Sequence, residues 1–258
     1  MPDFIDLHGT RTAFEAQGSG PPLLMLHGAE GSRRQFNAIR PALVDRYTVI
    51  TYDQRDCGDT ENPDAPATLA TLADDAQALL EALGHRSAFV FGTSFGGRIA
   101  QVLALRHASA VRRLVLASTW PLNVSLAAVN PEVAQELMRL RGRLPDSAEQ
   151  MAEIFFPPAF LAQQPAYRAH FKSAPPRSAR SQRRHATVAD MPDVDLAAIA
   201  VPTLLIAGEA DRLVPPDLTL ALADVIRDTR TVRLPEVGHL SLAQAPQVVA
   251  VHLREFLV

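Results

Sequence analysis

Lysine is nearly missing from this chain. Of its 25 basic residues only Lys172 is a lysine, a bias we read as codon usage rather than chemistry. Cysteine is scarcer still, and Cys57 alone excludes an internal disulfide framework and any multi-cysteine zinc or iron–sulfur site. Neither sign of charge dominates: 25 basic residues against 28 acidic ones leave a formal charge of -3, so the basic footprint of a nucleic-acid binder is absent. No apolar run approaches the roughly 20 residues of a membrane helix. The N-terminal Met1-Pro2-Asp3-Phe4-Ile5-Asp6 is acidic and has neither half of a signal peptide. These absences leave a cytoplasmic enzyme or binding protein for a small molecule, with no nucleic-acid or membrane partner and self-association left open. The 258 residues, 47% of them hydrophobic, are enough for a large core.

What is present reads as an α/β protein. Short apolar runs at Leu23–Leu26, Tyr47–Tyr52, Ala88–Phe91 and Leu114–Leu116 alternate with other segments, the pattern of βαβ units on a mostly parallel sheet. Leu69 to Leu83 repeats apolar residues at helical spacing and stops before Gly84. The pattern resumes with Thr203–Ile206, Thr231–Leu234 and an amphipathic helix from about Pro246 to Leu257. One core domain is therefore expected from residues 1–120 and 200–258, interrupted by 121–199. That interruption has no clear strands; helices are expected near Pro131–Arg143 and Ser147–Phe156, the second broken by Pro157-Pro158. From Arg168 to His185 it carries Arg168, Lys172, Arg177, Arg180, Arg183, Arg184, His170 and His185 and no acid, which predicts a solvated helix face or a basic rim for an anionic ligand.

The chemistry concentrates at Phe91-Gly92-Thr93-Ser94-Phe95-Gly96-Gly97, between a strand and a helix. Gly92-x-Ser94-x-Gly96 fits a nucleophile elbow, in which the turn is too tight for side chains at the flanking positions. The helix N-terminus behind it favours developing negative charge. A serine nucleophile needs a base, and the base an orienting acid. His239, in Glu236-Val237-Gly238-His239, follows the last strand; Asp211, in Gly208-Glu209-Ala210-Asp211, follows Thr203–Ile206, with Glu209 as its rival. The order Ser94, Asp211, His239 and the placement of all three at strand carboxyl ends support one another. The backbone N–H of Phe95 is one oxyanion donor, and Leu26-His27-Gly28-Ala29-Glu30-Gly31 should supply the other, with the N–H of Ala29 preferred over that of Glu30. His27 is expected to bond within its own loop.

Taken together, the His27-Gly28 loop, Tyr52-Asp53-Gln54-Arg55-Asp56-Cys57-Gly58, the Gly92–Gly97 elbow, Gly208–Asp211 and Gly238-His239 resemble the α/β-hydrolase fold over essentially the whole chain. The resemblance implies a Ser-His-Asp triad, no metal or organic cofactor, and a helical cap at 121–199 inserted after the sixth strand that sets substrate choice. Serine at the elbow argues against the dehalogenases and epoxide hydrolases of that fold. Two positions depart from the pattern. Asp56 stands where glycine is usual, a position it can fill because Asp tolerates left-handed φ better than most residues. Glu30 beside the oxyanion loop is expected to point out or to pair with Arg33 or Arg34. Cys57 reads as a buried bystander, while Trp120, Phe155 and Phe156, with Glu30, are candidate walls of a substrate pocket. The expected reaction is hydrolysis of a small ester or lactone. Carbon–carbon hydrolysis of ring-fission products, enol-lactone hydrolysis, peptidase or perhydrolase activity, and a small-molecule receptor of the same fold are the competing readings.

Overall fold

A computed structural model describes residues 2–173 and 178–258. Arg177 lies outside the described residues, as do the side chains of His170 and Ser173. Eight strands form one sheet: β1 (Asp3–Leu7), β2 (Thr10–Gln17), β3 (Pro22–Leu26), β4 (Thr48–Tyr52), β5 (Ala88–Thr93), β6 (Val111–Ala117), β7 (Thr203–Gly208) and β8 (Thr229–Leu234), in the order β1-β2-β4-β3-β5-β6-β7-β8. From β4 to β8 every pairing is parallel. β1 and β2 add an antiparallel edge that the apolar runs did not announce. They are joined by a two-residue turn with positive φ at His8 and Gly9, which matches the natural twist of a hairpin.

Alternate residues of the central strands feed two cores, one on each face. Leu24, Leu26, Val90, Leu114 and Leu116 pack under α1 (Leu69–Ala82) and α2 (Phe95–Arg106). Leu23, Met25, Phe89, Phe91, Val115, Leu204 and Ile206 pack on the other side, against Val249, Leu253 and Phe256. Burial on both faces is why these strands read as continuous apolar runs rather than alternating ones. Between β3 and β4 the chain makes only 3-10 turns, Arg33–Phe36 and Arg40–Ala42, so no helix crosses there.

Between β6 and β7 run α3 (Leu126–Val129), α4 (Pro131–Arg141), α5 (Ala148–Phe155), α6 (Pro158–Gln163) and α7 (Ala179–Val188). After β7 and β8 come α8 (Pro216–Leu220), α9 (Ser241–Gln244) and α10 (Pro246–Phe256). The inserted helices are fastened to the core by apolar contact. Trp120, Leu140, Met151 and Ile154 cluster with Leu213 and Val214 from the β7 side, and Phe156 and Leu161 pack near Leu240 and Ala243. Among the described residues no helix is long and apolar enough to cross a membrane. The register pairs Leu26 with Gly92, Thr93 with Ala117, Ala117 with Ile206 and Gly208 with Leu234. The loops after β3, β5, β7 and β8 therefore leave the sheet along one edge.

Candidate active site

Ser94 is the hinge between β5 and α2, with φ 55 and ψ -124. A side chain rarely adopts this conformation, and it persists only where the surroundings over-determine it. Here the serine N–H donates to Ala117 O (2.9 Å), and its carbonyl accepts from Thr119 Oγ1 (2.7 Å) and Gly97 N–H (2.9 Å). The flanking glycines make the turn sterically feasible. A Cβ on Gly92 would stand 2.4 Å from Gly96 O, and one on Gly96 would stand 2.1 Å from Leu26 O.

His239 comes from the β8–α9 loop and is 3% exposed. Its Nε2 lies 3.0 Å from Ser94 Oγ and its Nδ1 2.8 Å from Asp211 Oδ2. Asp211 uses its other oxygen, Oδ1, to accept the N–H groups of Leu213 (3.0 Å) and Val214 (2.9 Å), which locks the carboxylate. With Asp211 accepting at Nδ1, the hydrogen is assigned to that nitrogen, and Nε2 is free to accept the serine proton. Glu209, the rival acid, is exposed and makes no such contact. The inserted helices reach the same loop: Phe155 O accepts the His239 N–H (3.0 Å), and its ring meets the imidazole edge-on at 5.7 Å. Gly238 allows this approach, since a Cβ there would come 2.6 Å from Phe155 O.

Phe95 is the first residue of α2, so its N–H has no acceptor within the helix. Gly28 lies against the serine, with its Cβ position 4.0 Å from Ser94 Oγ. His27 bonds within its loop as expected: Nδ1 donates to Gly28 O (2.8 Å) and Nε2 accepts from Gln54 N–H (3.1 Å). Burial, reinforced by the nearby Arg184 charge, pushes the His27 pKa down to about 3, so the ring is neutral. Cys57 is buried and free, and its burial pushes the thiol pKa up, which keeps it unreactive.

Three sequence expectations change in the folded chain. Glu30 points outward, the first of its two expected placements, but it does not pair with Arg33 or Arg34. Its carboxylate meets Arg141 (2.7 Å) and His185 (3.3 Å) on the inserted helices, because Arg33 is already taken by Asp53, Glu15 and Asp59. Burial works against the Glu30 charge, but the His185 hydrogen bond and the Arg141 charge outweigh it and hold the carboxyl below its usual value. Second, Arg180, Arg183 and Arg184 of the basic segment do not form a solvated face. Arg183 pairs with Asp56 (2.6 Å) and Asp64 (2.8 Å), and Arg180 donates to Gly58 O and Thr60 O. Third, Phe155 and Phe156 part company. Phe156 stacks on Phe160 and lies tilted against Tyr167 rather than meeting His239, as neighbouring positions at a helix end diverge. Trp120 is buried in the cluster with Leu140, Met151 and Ile154. The Asp56 departure is answered directly: it adopts φ 61 while its side chain takes Arg183. Sequence reading missed this pairing, although an arginine-rich segment with no acid of its own was a sign that the counter-ions lie elsewhere. Among the described residues no group of three His, Cys, Asp or Glu side chains could hold a metal ion.

Comparison with known proteins agrees with this architecture. A family model described as alpha/beta hydrolase fold matches residues 21–193. The 2-hydroxymuconate semialdehyde hydrolase of Pseudomonas sp. (strain CF600) is 31% identical over 251 residues, covering 90% of this chain and 84% of that one. The crystal structure of a hydrolase from Pseudomonas aeruginosa PA01 superposes with a TM-score of 0.83 at 30% identity, covering 99% of this chain and 98% of the other. A thermophilic esterase from Thermogutta terrifontis, with malate bound, gives a TM-score of 0.81 at 28% identity over 96% of this chain and 93% of its own.

Proposed function

The chain belongs to the alpha/beta hydrolase fold family, and on that footing we propose that it is a serine hydrolase cleaving a small ester or lactone through an acyl-enzyme on Ser94. The observation that carries the reading is the relay Ser94 Oγ to His239 Nε2 at 3.0 Å and His239 Nδ1 to Asp211 at 2.8 Å, held on a strained elbow. Ser94 Oγ attacks the carbonyl carbon as His239 takes its proton. The oxyanion is met by the N–H groups of Phe95 and Ala29, each worth about 3 kcal/mol in such sites. Collapse breaks the bond to the leaving alcohol, which receives the proton from His239. A water then gives its proton to His239 and attacks the acyl carbon; the acid departs and Ser94 regains its hydrogen. Asp211 keeps the imidazole in the needed tautomer and stabilises its charged form.

In this reading residues 121–199 act as a cap over the serine edge of the sheet, and Phe155, edge-on to His239, is one wall of the pocket. The likeness to the thermophilic esterase favours ester chemistry. Carbon–carbon hydrolysis is the second reading, and the 31% identity to the 2-hydroxymuconate semialdehyde hydrolase favours it. Both readings use the same serine, histidine and aspartate.

The deciding experiment compares p-nitrophenyl esters of increasing acyl length with 2-hydroxymuconate semialdehyde, for wild type beside Ser94→Ala. Serine-dependent turnover of short esters supports the ester reading; turnover of the semialdehyde alone moves the assignment to carbon–carbon cleavage. A folded wild type inert on both, and unlabelled by a fluorophosphonate, overturns the serine hydrolase.

A further inference from the structure

Arg184 of α7 is 3% exposed, yet none of its bonds is to a carboxylate. Its Nε donates to Ala29 O (2.6 Å), and Nη2 donates to Gly28 O (3.4 Å) and to Gln54 Oε1. Its guanidinium carbon lies 4.6 Å from the centre of the Phe95 ring. Among the described residues Nη1 has no hydrogen-bond partner. One side chain thus touches Gly28, Ala29 and Phe95, that is, both residues whose N–H groups face the oxyanion in the reading above, and the peptide between Gly28 and Ala29.

We infer that Arg184 is a positioning residue for the oxyanion loop, so that the hole is complete only while α7 is docked. The inference rests on the serine hydrolase reading and goes beyond it. In a trans peptide the C=O and the N–H point in opposite directions. Gly28 O is held by three donors, His27 Nδ1 (2.8 Å), Gly31 N–H (3.2 Å) and Arg184 Nη2. Fixing that carbonyl turns the N–H of the same peptide, that of Ala29, away from the donor cluster, while Gly28 itself lies against Ser94. The arginine also acts through its charge. A buried cation bonded only to neutral oxygens polarises the peptides it holds, which strengthens their N–H groups as donors. Ion pairing does not account for its placement, because the neighbouring carboxylate of Glu30 is taken by Arg141 and His185. Arg183, the preceding residue, pairs with Asp56, so α7 binds two loops through two adjacent arginines with separate tasks.

The test uses the full chain and the variants Arg184→Met, which keeps a long stem over Phe95 without the charge, and Arg184→Lys, which keeps the charge without the fork. Readouts are kcat and KM on p-nitrophenyl butyrate and the affinity of butaneboronic acid, whose serine adduct is a tetrahedral anion. For Arg184→Met the expectation is a kcat loss of roughly tenfold to a hundredfold with KM within about twofold, and a parallel loss of boronate affinity. Arg184→Lys should fall between Met and wild type. If Arg184→Met fails to fold, Arg184→Lys carries the same split. A purely structural arginine would lower Tm while leaving the kcat and boronate affinity of folded protein at wild-type values, and that result overturns the inference. A wild type that a fluorophosphonate labels at Ser94, combined with unaffected Arg184 variants, sinks this inference alone. A wild type that is never labelled sinks the serine reading and this one with it.

Discussion

Ser94 holds its hydroxyl toward His239 only because Gly92, Gly96 and the hydrogen bonds to Ala117 and Thr119 hold the backbone at φ 55. Ser94→Ala removes the proposed nucleophile without touching those supports. It should leave circular dichroism and Tm near wild type while abolishing turnover and fluorophosphonate labelling; near-native activity in that variant would refute the mechanism. The acid can be assigned by contrast. Asp211→Asn keeps the size but puts the wrong tautomer on His239, so kcat should fall by about 10⁴. Glu209→Gln, at an exposed position outside the Ser94–His239–Asp211 hydrogen bonds, should stay within about twofold by the same argument. The reverse pattern would move the acid to Glu209. Ser94, His239 and Asp211 could be chosen from the chain because their chemistry is carried by residue type and loop context. The partners of Glu30 could not, because the competition for Arg33 among Asp53, Glu15 and Asp59 exists only after folding.

At the scale of elements, α7 is the instructive case. Its lack of acids is legible in the sequence, but its arginines reach Asp56, Gly58, Thr60 and Ala29, more than a hundred positions away. Arg183→Gln should leave the Asp56 carboxylate, 2% exposed, without its cation. The urea midpoint of unfolding should fall below that of wild type, because a buried carboxylate left without its cation opposes folding. An unchanged midpoint would place this pair with ordinary surface contacts instead. The β1–β2 edge shows the opposite failure. Its turn residues, His8 and Gly9, are visible, but the strands carry too few apolar residues to stand out beside the doubly buried centre of the sheet.

For the molecule as a whole, buried neutral groups set how stability responds to acid. His27 has a folded pKa of about 3 against an ordinary value of 6.5. Below 6.5 the unfolded chain takes up a proton there that the folded chain refuses, so protonation favours unfolding. The stability lost should be on the order of 1.4 kcal/mol per pH unit across the window from 6.5 down toward 3. His27→Asn should therefore lose less stability than wild type between pH 6.5 and 4.5, measured by urea denaturation. Equal losses would mean that His27 is not the buried neutral group assigned here.

By itself the sequence determined the mostly parallel sheet, the tight turn at Gly92–Gly97, the candidate serine, acid and base, and the presence of helices between β6 and β7. Those features are local: apolar runs, glycines beside a tight turn, and reactive side chains at strand ends declare themselves within a few residues. The tertiary structure decided what the local signals leave open. It settled which carboxylate each arginine meets, that Phe155 rather than Phe156 touches His239, and that α7 grips the loop beside Ser94. Such pairings depend on the distance between groups far apart in the chain and on which competitor is already satisfied, and both are fixed only when the sheet edge and the inserted helices come together.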